Sequence, residues 1–234
     1  MKKILILLMV ACTVVLSVQA QETKSVKIYN LIILDESGSM ASLKRSTISG
    51  FNEVVQSIQS ASKQFPEQQH YISLVTFNGD GIKTVYDQES VSKLKEIDGD
   101  KYQPMSNTPL YDAMGNSFLK LRKTTDKDKN CKVLVTILTD GEENSSKEFK
   151  GQDIKKLVEE LKEKGWVFTY IGANHDVEAF AKSISIENVL EYKANASDMK
   201  AMFETENTAR KEYYNSVRNK TDGKANGDYY KKKK

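Results

Sequence analysis

Two apolar runs of this chain stop at oxygen-bearing side chains. Residues 28–34 lead into Asp35-Glu36-Ser37-Gly38-Ser39, which sets one carboxylate and two hydroxyls at alternate positions in a glycine-containing turn. Alternate spacing lets those oxygens converge on one point above a strand end. Residues 133–138 lead into Thr139-Asp140-Gly141, a second carboxylate at the carboxyl end of a strand. Thr108, followed by Pro109, opens a helix, so its hydroxyl stands at a helix N-terminus. None of these donors is soft. Hydroxyl and carboxylate oxygens suit a small, hard divalent ion held octahedrally with several waters, which points to Mg2+ or Mn2+ and away from zinc. Two carboxylates just balance such an ion. If the hydroxyls bind directly and the carboxylates act largely through water, the ion stays electron-poor and can take a carboxylate from outside.

Each side chain also has an ordinary account. Thr108 before Pro109 fits a helix cap; Asp35 and Asp140 fit turn residues; Ser37 and Ser39 could bond local backbone. Five such residues falling on one crevice is the less economical explanation. Glu142 and Glu143 either extend the negative field toward a cation, repel an acidic ligand, or are simply solvated. Asn174, His175 and Asp176 follow a later strand and could border the same crevice, loop surface being the alternative. His70, at the start of a strand, reads as a surface or edge residue.

The elements that must hold these groups follow from periodicity. Residues 28–34, 133–138 and 166–171 are nearly continuous apolar runs, as expected of strands buried on both faces. Ile48, Phe51, Val55 and Ile58 recur at helical spacing within residues 42–64, Leu110, Met114, Phe118 and Leu121 mark another helix, and Ile154, Leu157, Val158 and Leu161 a third, ended by Gly165. A strand at 71–77 turns through Asn78-Gly79-Asp80-Gly81 into 82–86, a hairpin that leaves one antiparallel strand at a sheet edge. A short helix at 177–182, a weak strand at 189–192 and a last helix at 197–214 complete the alternation. The pattern predicts a three-layer α/β/α, doubly wound, Rossmann-like and mostly parallel six-stranded sheet with one antiparallel edge strand. Ligands of such sheets bind where neighbouring strands send their helices to opposite faces. If the strands ending at Asp35 and Thr139 are neighbours there, Asp35, Ser37, Ser39, Thr108 and Asp140 share one crevice.

The set Asp35-x-Ser37-x-Ser39, then Thr108-Pro109-Leu110-Tyr111-Asp112-Ala113, then Leu138-Thr139-Asp140-Gly141, each in its strand or helix context, resembles the metal-ion-dependent adhesion site of von Willebrand factor A domains. The resemblance covers residues 26–214. It implies a sheet of order 3-2-1-4-5-6, Ser37, Ser39 and Thr108 as direct cation ligands, and Asp35 and Asp140 as mostly water-mediated ones. It also implies capture of an acidic residue on a partner protein through the bound Mg2+ or Mn2+. A haloacid-dehalogenase-type phosphatase would also place Asp after a buried strand, but needs a second Asp where Ser37 stands. There is no phosphate loop, nucleophile elbow or Cys/His pairing, and with two histidines in all, general-base material is scarce. A binding module is therefore favoured over an enzyme. The alternatives are metal-assisted hydrolysis at the same ion and a scaffold subunit of a bacterial envelope complex that binds away from it.

Residues 1–20 read as a secretion signal: Lys2-Lys3, an apolar run at 4–18, and Val18-Gln19-Ala20 as a small-residue cleavage pattern. The rival is an uncleaved anchor, for which a run of about 15 residues is short against the roughly 20 that span a bilayer. Removal of the signal takes Cys12 with it and leaves Cys131 alone, so the core needs no disulfide. The expected product is a secreted or periplasmic, bacterial-type protein, with cell-surface association as an alternative, with no stable membrane insertion and monomeric on its own. A single domain is expected over 21–215, followed by a disordered basic tail at 216–234 that ends in four lysines. The chain has 234 residues, 39% of them hydrophobic and 29% charged, and a formal charge of +3 that is concentrated in this tail, which makes no case for nucleic acid.

Overall fold

The computed structural model describes residues 25–230. The signal segment expected at 1–20 and the closing lysines 231–234 lie outside the described residues.

Six strands form one sheet: β1 (Val26–Asp35), β2 (Gln68–Asn78), β3 (Gly81–Ser90), β4 (Cys131–Leu138), β5 (Trp166–Gly172) and β6 (Asn188–Glu191). Their order is β3-β2-β1-β4-β5-β6, with β3 antiparallel and all other pairs parallel. This is the doubly wound order expected. Helices α1 (Lys44–Gln64), α2 (Leu110–Thr125), α3 (Gly151–Glu163) and the short α4 (Val177–Ser183) lie between strands, and α5 (Ala196–Arg218) follows the last one. A tight helical turn, Gly38–Leu43, precedes α1.

Alternation along β1 divides the core. Ile28, Ile32 and Leu34 face α1 and α5, while Tyr29, Leu31 and Ile33 face α2, α3 and α4. Because α1 leaves β1 on one face and α3 leaves β4 on the other, the gap between β1 and β4 is the switch point of the sheet. Their register, Lys27 against Cys131 through Leu34 against Leu138, brings Asp35 beside Thr139.

Helix α5 is held by a buried polar network as well as by apolar packing. Arg210 pairs with Glu206 at 2.6 Å and donates to Asn30 Oδ1 at 3.0 Å and Thr136 Oγ1 at 2.7 Å. Tyr214 donates to the same Asn30 oxygen at 2.6 Å. With every residue of this set buried, its mutual hydrogen bonds offset the cost of taking charges from water.

Two expectations need correction. Helix α5 runs to Arg218, and residues 219–230 fold back onto the sheet where a disordered tail was expected. Strand β6 pairs with β5 only from Thr169 to Gly172, so the start of β5 has a free backbone edge. The Asn226 carboxamide fills it, accepting from Phe168 N–H at 3.3 Å and donating to Trp166 C=O at 2.7 Å. Tyr229 and Tyr230 then donate to Glu206 at 3.1 and 2.5 Å. His70 is the second correction: it lies inside β2, 2% exposed, edge-on to Tyr214. The alternating strand turns it toward α5, which covers it.

Candidate metal centre

The carboxyl ends of β1 and β4 bring the predicted groups together. Asp35 is fully buried, and both its oxygens are engaged: Oδ1 accepts from Ser37 N–H at 2.7 Å and Oδ2 from Thr139 Oγ1 at 2.5 Å. Ser37 Oγ lies 3.1 Å from Ser39 Oγ, and Ser39 Oγ donates to Asp140 Oδ1 at 2.6 Å. A Cβ added to Gly141 would stand 3.6 Å from Ser39 Oγ and 3.9 Å from Thr108 Oγ1, so both hydroxyls border the same space beside Gly141. Ser37, Thr108 and Asp140 are buried while Ser39 is exposed, and the cluster therefore meets solvent at Ser39.

Thr108 does not open the helix. Helix α2 begins at Leu110 with Pro109 as its cap residue, leaving Thr108 just outside. Its loop is docked on the first motif by Gly38 N–H to Ser106 C=O at 3.0 Å and Met105 N–H to Glu36 C=O at 2.9 Å, and by Gln103 N–H to the Glu36 carboxylate. Its own N–H donates to Asn144 Oδ1 at 2.9 Å.

Electrostatics mark the cluster as short of positive charge. Burial pushes the Asp35 carboxyl up to about 6 against hydrogen bonds from Thr139 and Ser37, with the Asp140 charge adding to the rise. Burial raises Asp140 as well, opposed by the Ser39 hydrogen bond and by His175. Among the described residues neither carboxylate takes part in a salt bridge. Nor is any group of three or more His, Cys, Asp or Glu placed there to hold a metal ion, so a cation at this place would depend on hydroxyl oxygens. Three hydroxyls and two uncompensated carboxylates fit a hard divalent ion such as Mg2+ or Mn2+.

The other expected rim residues occupy different roles. Glu142 is exposed beside Asp140. Asn174, in the left-handed region with φ 61°, begins the turn after β5. His175 is pinned, with Nε2 3.0 Å from Tyr170 Oη and Nδ1 2.6 Å from Ala173 O. Asp176 caps α4, accepting from Ala179 N–H at 3.0 Å. Glu143 also turns inward, accepting from Tyr111 N–H at 2.8 Å. Three residues to which the sequence assigns no role complete the frame: Thr139 and Asp112, both inside the motifs quoted above, and Asn144, for which spacing offers no signal. Cys131 is a part-buried strand residue, its thiol pushed up to about 11 by burial, as befits a structural cysteine.

Comparison with known proteins identifies the family and the fold. Residues 31–208 match the sequence profile of the family described as von Willebrand factor type A domain. No curated protein matches the chain by sequence. Among solved structures, the vWF domain of the type V pili tip protein Mfa5 from Porphyromonas gingivalis superposes with a TM-score of 0.57 at 10% identity, covering 80% of this chain and 95% of that one. The pilus adhesin SpaC from Lactobacillus rhamnosus GG, in an open conformation, gives 0.56 at 15% identity, over 83% of this chain but only 31% of SpaC. The SpRpn10 VWA domain gives 0.51 at 10% identity, over 76% and 93%. At these identities the likeness is one of fold.

Proposed function

Because the chain belongs to the von Willebrand factor type A domain family, we propose that it is a protein-binding module, for adhesion or complex assembly, that captures an Asp or Glu of a partner at a divalent cation. Asp35, Ser37, Ser39, Thr108 and Asp140 would hold the ion, Mg2+ or Mn2+. The observation that carries the reading is the convergence of the Ser37, Ser39 and Thr108 hydroxyls with two buried carboxylates that lack a positive partner, open to solvent at Ser39. When bound, the ion supplies a Lewis-acidic point for an external carboxylate. The chain's own part is to fix three hydroxyls, to keep Asp35 turned inward on Thr139 and Ser37, and to leave the Ser39 side accessible.

A binding role suits the titratable groups better than catalysis. His70 is in the core and His175 has both nitrogens engaged, so neither is free as a general base. The reading puts the chain outside the cytoplasm, in keeping with the apolar run at 4–18 and with the pilus origin of the Mfa5 and SpaC neighbours. Among the described residues no helix is long and apolar enough to cross a membrane.

Calorimetric titration tests the site directly. The unaltered chain is expected to take up one Mg2+ or Mn2+, and Thr108→Ala to bind at least roughly tenfold more weakly. A partner recovered from the native source is expected to stay bound in Mg2+, to be lost in EDTA, and to be absent with Asp35→Ala. Retention of partner in EDTA would instead support scaffold contact away from the ion.

A further inference from the structure

Thr108 and Asp140 are carried by different loops, and a continuous set of bonds joins those loops. Asn144, four residues beyond Asp140, grips Thr108 at both backbone ends: its Oδ1 accepts from Thr108 N–H at 2.9 Å, and its own N–H donates to Thr108 C=O at 3.1 Å. Glu143 accepts from Tyr111 N–H at 2.8 Å and also from Ser145 N–H, Ser146 N–H and Ser146 Oγ at 2.9, 2.8 and 2.7 Å. Ser146 Oγ in turn accepts from Asp112 N–H at 3.0 Å. Tyr111 and Asp112 stand in the first turn of α2, where N–H groups have no partner within the helix. The loop after β4 supplies those partners. Asp112 returns the arrangement by accepting from the N–H groups of Lys147, Glu148 and Phe149 at 2.7, 2.9 and 2.8 Å. Each loop therefore caps the other.

We propose that Asn144 is a positioning residue for the cation site, setting where the Thr108 hydroxyl stands relative to Asp140 and Ser39, with Glu143 and Asp112 holding the frame. The inference rests on the cation reading given above. With the peptide planes before and after Thr108 both pinned, neither can turn, so the side chain of that residue leaves the backbone in one direction. Outer partners of metal ligands act in this way, and their loss typically costs ten- to a hundredfold in affinity. Asn144 is itself exposed, so its replacement leaves the apolar core intact.

The test is Mn2+ titration of the full chain beside amide exchange at Thr108 measured in EDTA. Asn144→Ala is expected to bind Mn2+ roughly tenfold more weakly or worse and to exchange the Thr108 amide faster, with little change in its urea midpoint. Asn144→Asp keeps an acceptor at the same place and is expected to restore slow exchange and tight binding. Unchanged Mn2+ affinity in Asn144→Ala overturns the inference while leaving the cation reading intact. Weakened affinity without faster exchange at Thr108 overturns it too, because the loss then travels by another route. No Mn2+ uptake by the unaltered chain overturns both. Should Asn144→Ala be too unstable to titrate, Glu143→Gln serves in its place, and equal affinity there counts against the frame.

Discussion

Burial in β2 leaves neither His70 ring nitrogen with a hydrogen-bond partner among the described residues, 4.5 Å from the Tyr214 ring centroid and near Arg210. Burial, aided by the Arg210 charge, lowers its pKa to about 4 from an ordinary 6.5. The folded chain thus keeps His70 neutral in a range where the unfolded chain takes up a proton. Stability from this residue is complete above about pH 6.5 and falls as pH falls toward about 4, by roughly 2 kcal/mol at pH 5. Carboxylates titrate in part of that window, so the measurement is a difference: urea unfolding of the chain and of His70→Phe at pH 7.5 and pH 5. His70→Phe is expected to lose about 2 kcal/mol less over that interval. Parallel losses in the two proteins would mean that His70 titrates normally. The residue was misread from sequence because its position near the start of a strand suggested an edge. What decides its environment is Tyr214, 144 positions away and on α5.

At the scale of elements, α1 and α5 meet closely where Gly50 lies against Phe203. A Cβ on Gly50 would come within 1.9 Å of Phe203 Cδ2 and 2.5 Å of its Cγ, so the clash reaches the root of a buried ring. Alanine there gains about 1 kcal/mol of helix propensity but forces the helices apart, and overpacking of this kind costs about 1–3 kcal/mol. Gly50→Ala is therefore expected to lower stability, and Phe203→Leu in the same chain to recover part of the loss; a higher urea midpoint in Gly50→Ala would refute the packing argument. Most elements were legible in the sequence for a simple reason. Strands buried on both faces, such as β1 and β4, must be continuously apolar, and the groups that break the run at Asp35 and Thr139 stand out against it. Glycine 50 carried no such mark, since helical periodicity continues through it. The roles of Asn144 and Asp112 are equally hidden: their partners are backbone groups roughly thirty to forty positions away, and a backbone N–H looks the same after any residue.

For the whole molecule, the distance between what stabilises it and what we propose it binds can be tested at the C-terminus. Polar composition and repeated lysines make residues 216–234 read as a tail, because a segment with little apolar area ordinarily cannot offset its ordering entropy. This one docks through groups that composition undervalues. Asn226 stands in for a strand at the β5 edge, Asn188 accepts from Gly227 and Tyr229 N–H at 2.9 and 3.1 Å, and Lys132 pairs with Asp222 at 2.6 Å. Two tyrosines close over Glu206. Deleting residues 219–234 would strip Trp166 C=O and Phe168 N–H of their partners and leave Glu206 with fewer donors in the interior. Summed over such losses, stability is expected to fall by roughly 3–5 kcal/mol, read as a lower urea midpoint. The contacts lie at the amino ends of β4 and β5, and the proposed cation site lies at the carboxyl ends of β1 and β4. Below its lowered melting temperature the shortened chain should therefore bind Mn2+ as tightly as the full one. A folded but non-binding truncation would show that the strap and the site are coupled through the sheet, and would refute their independence.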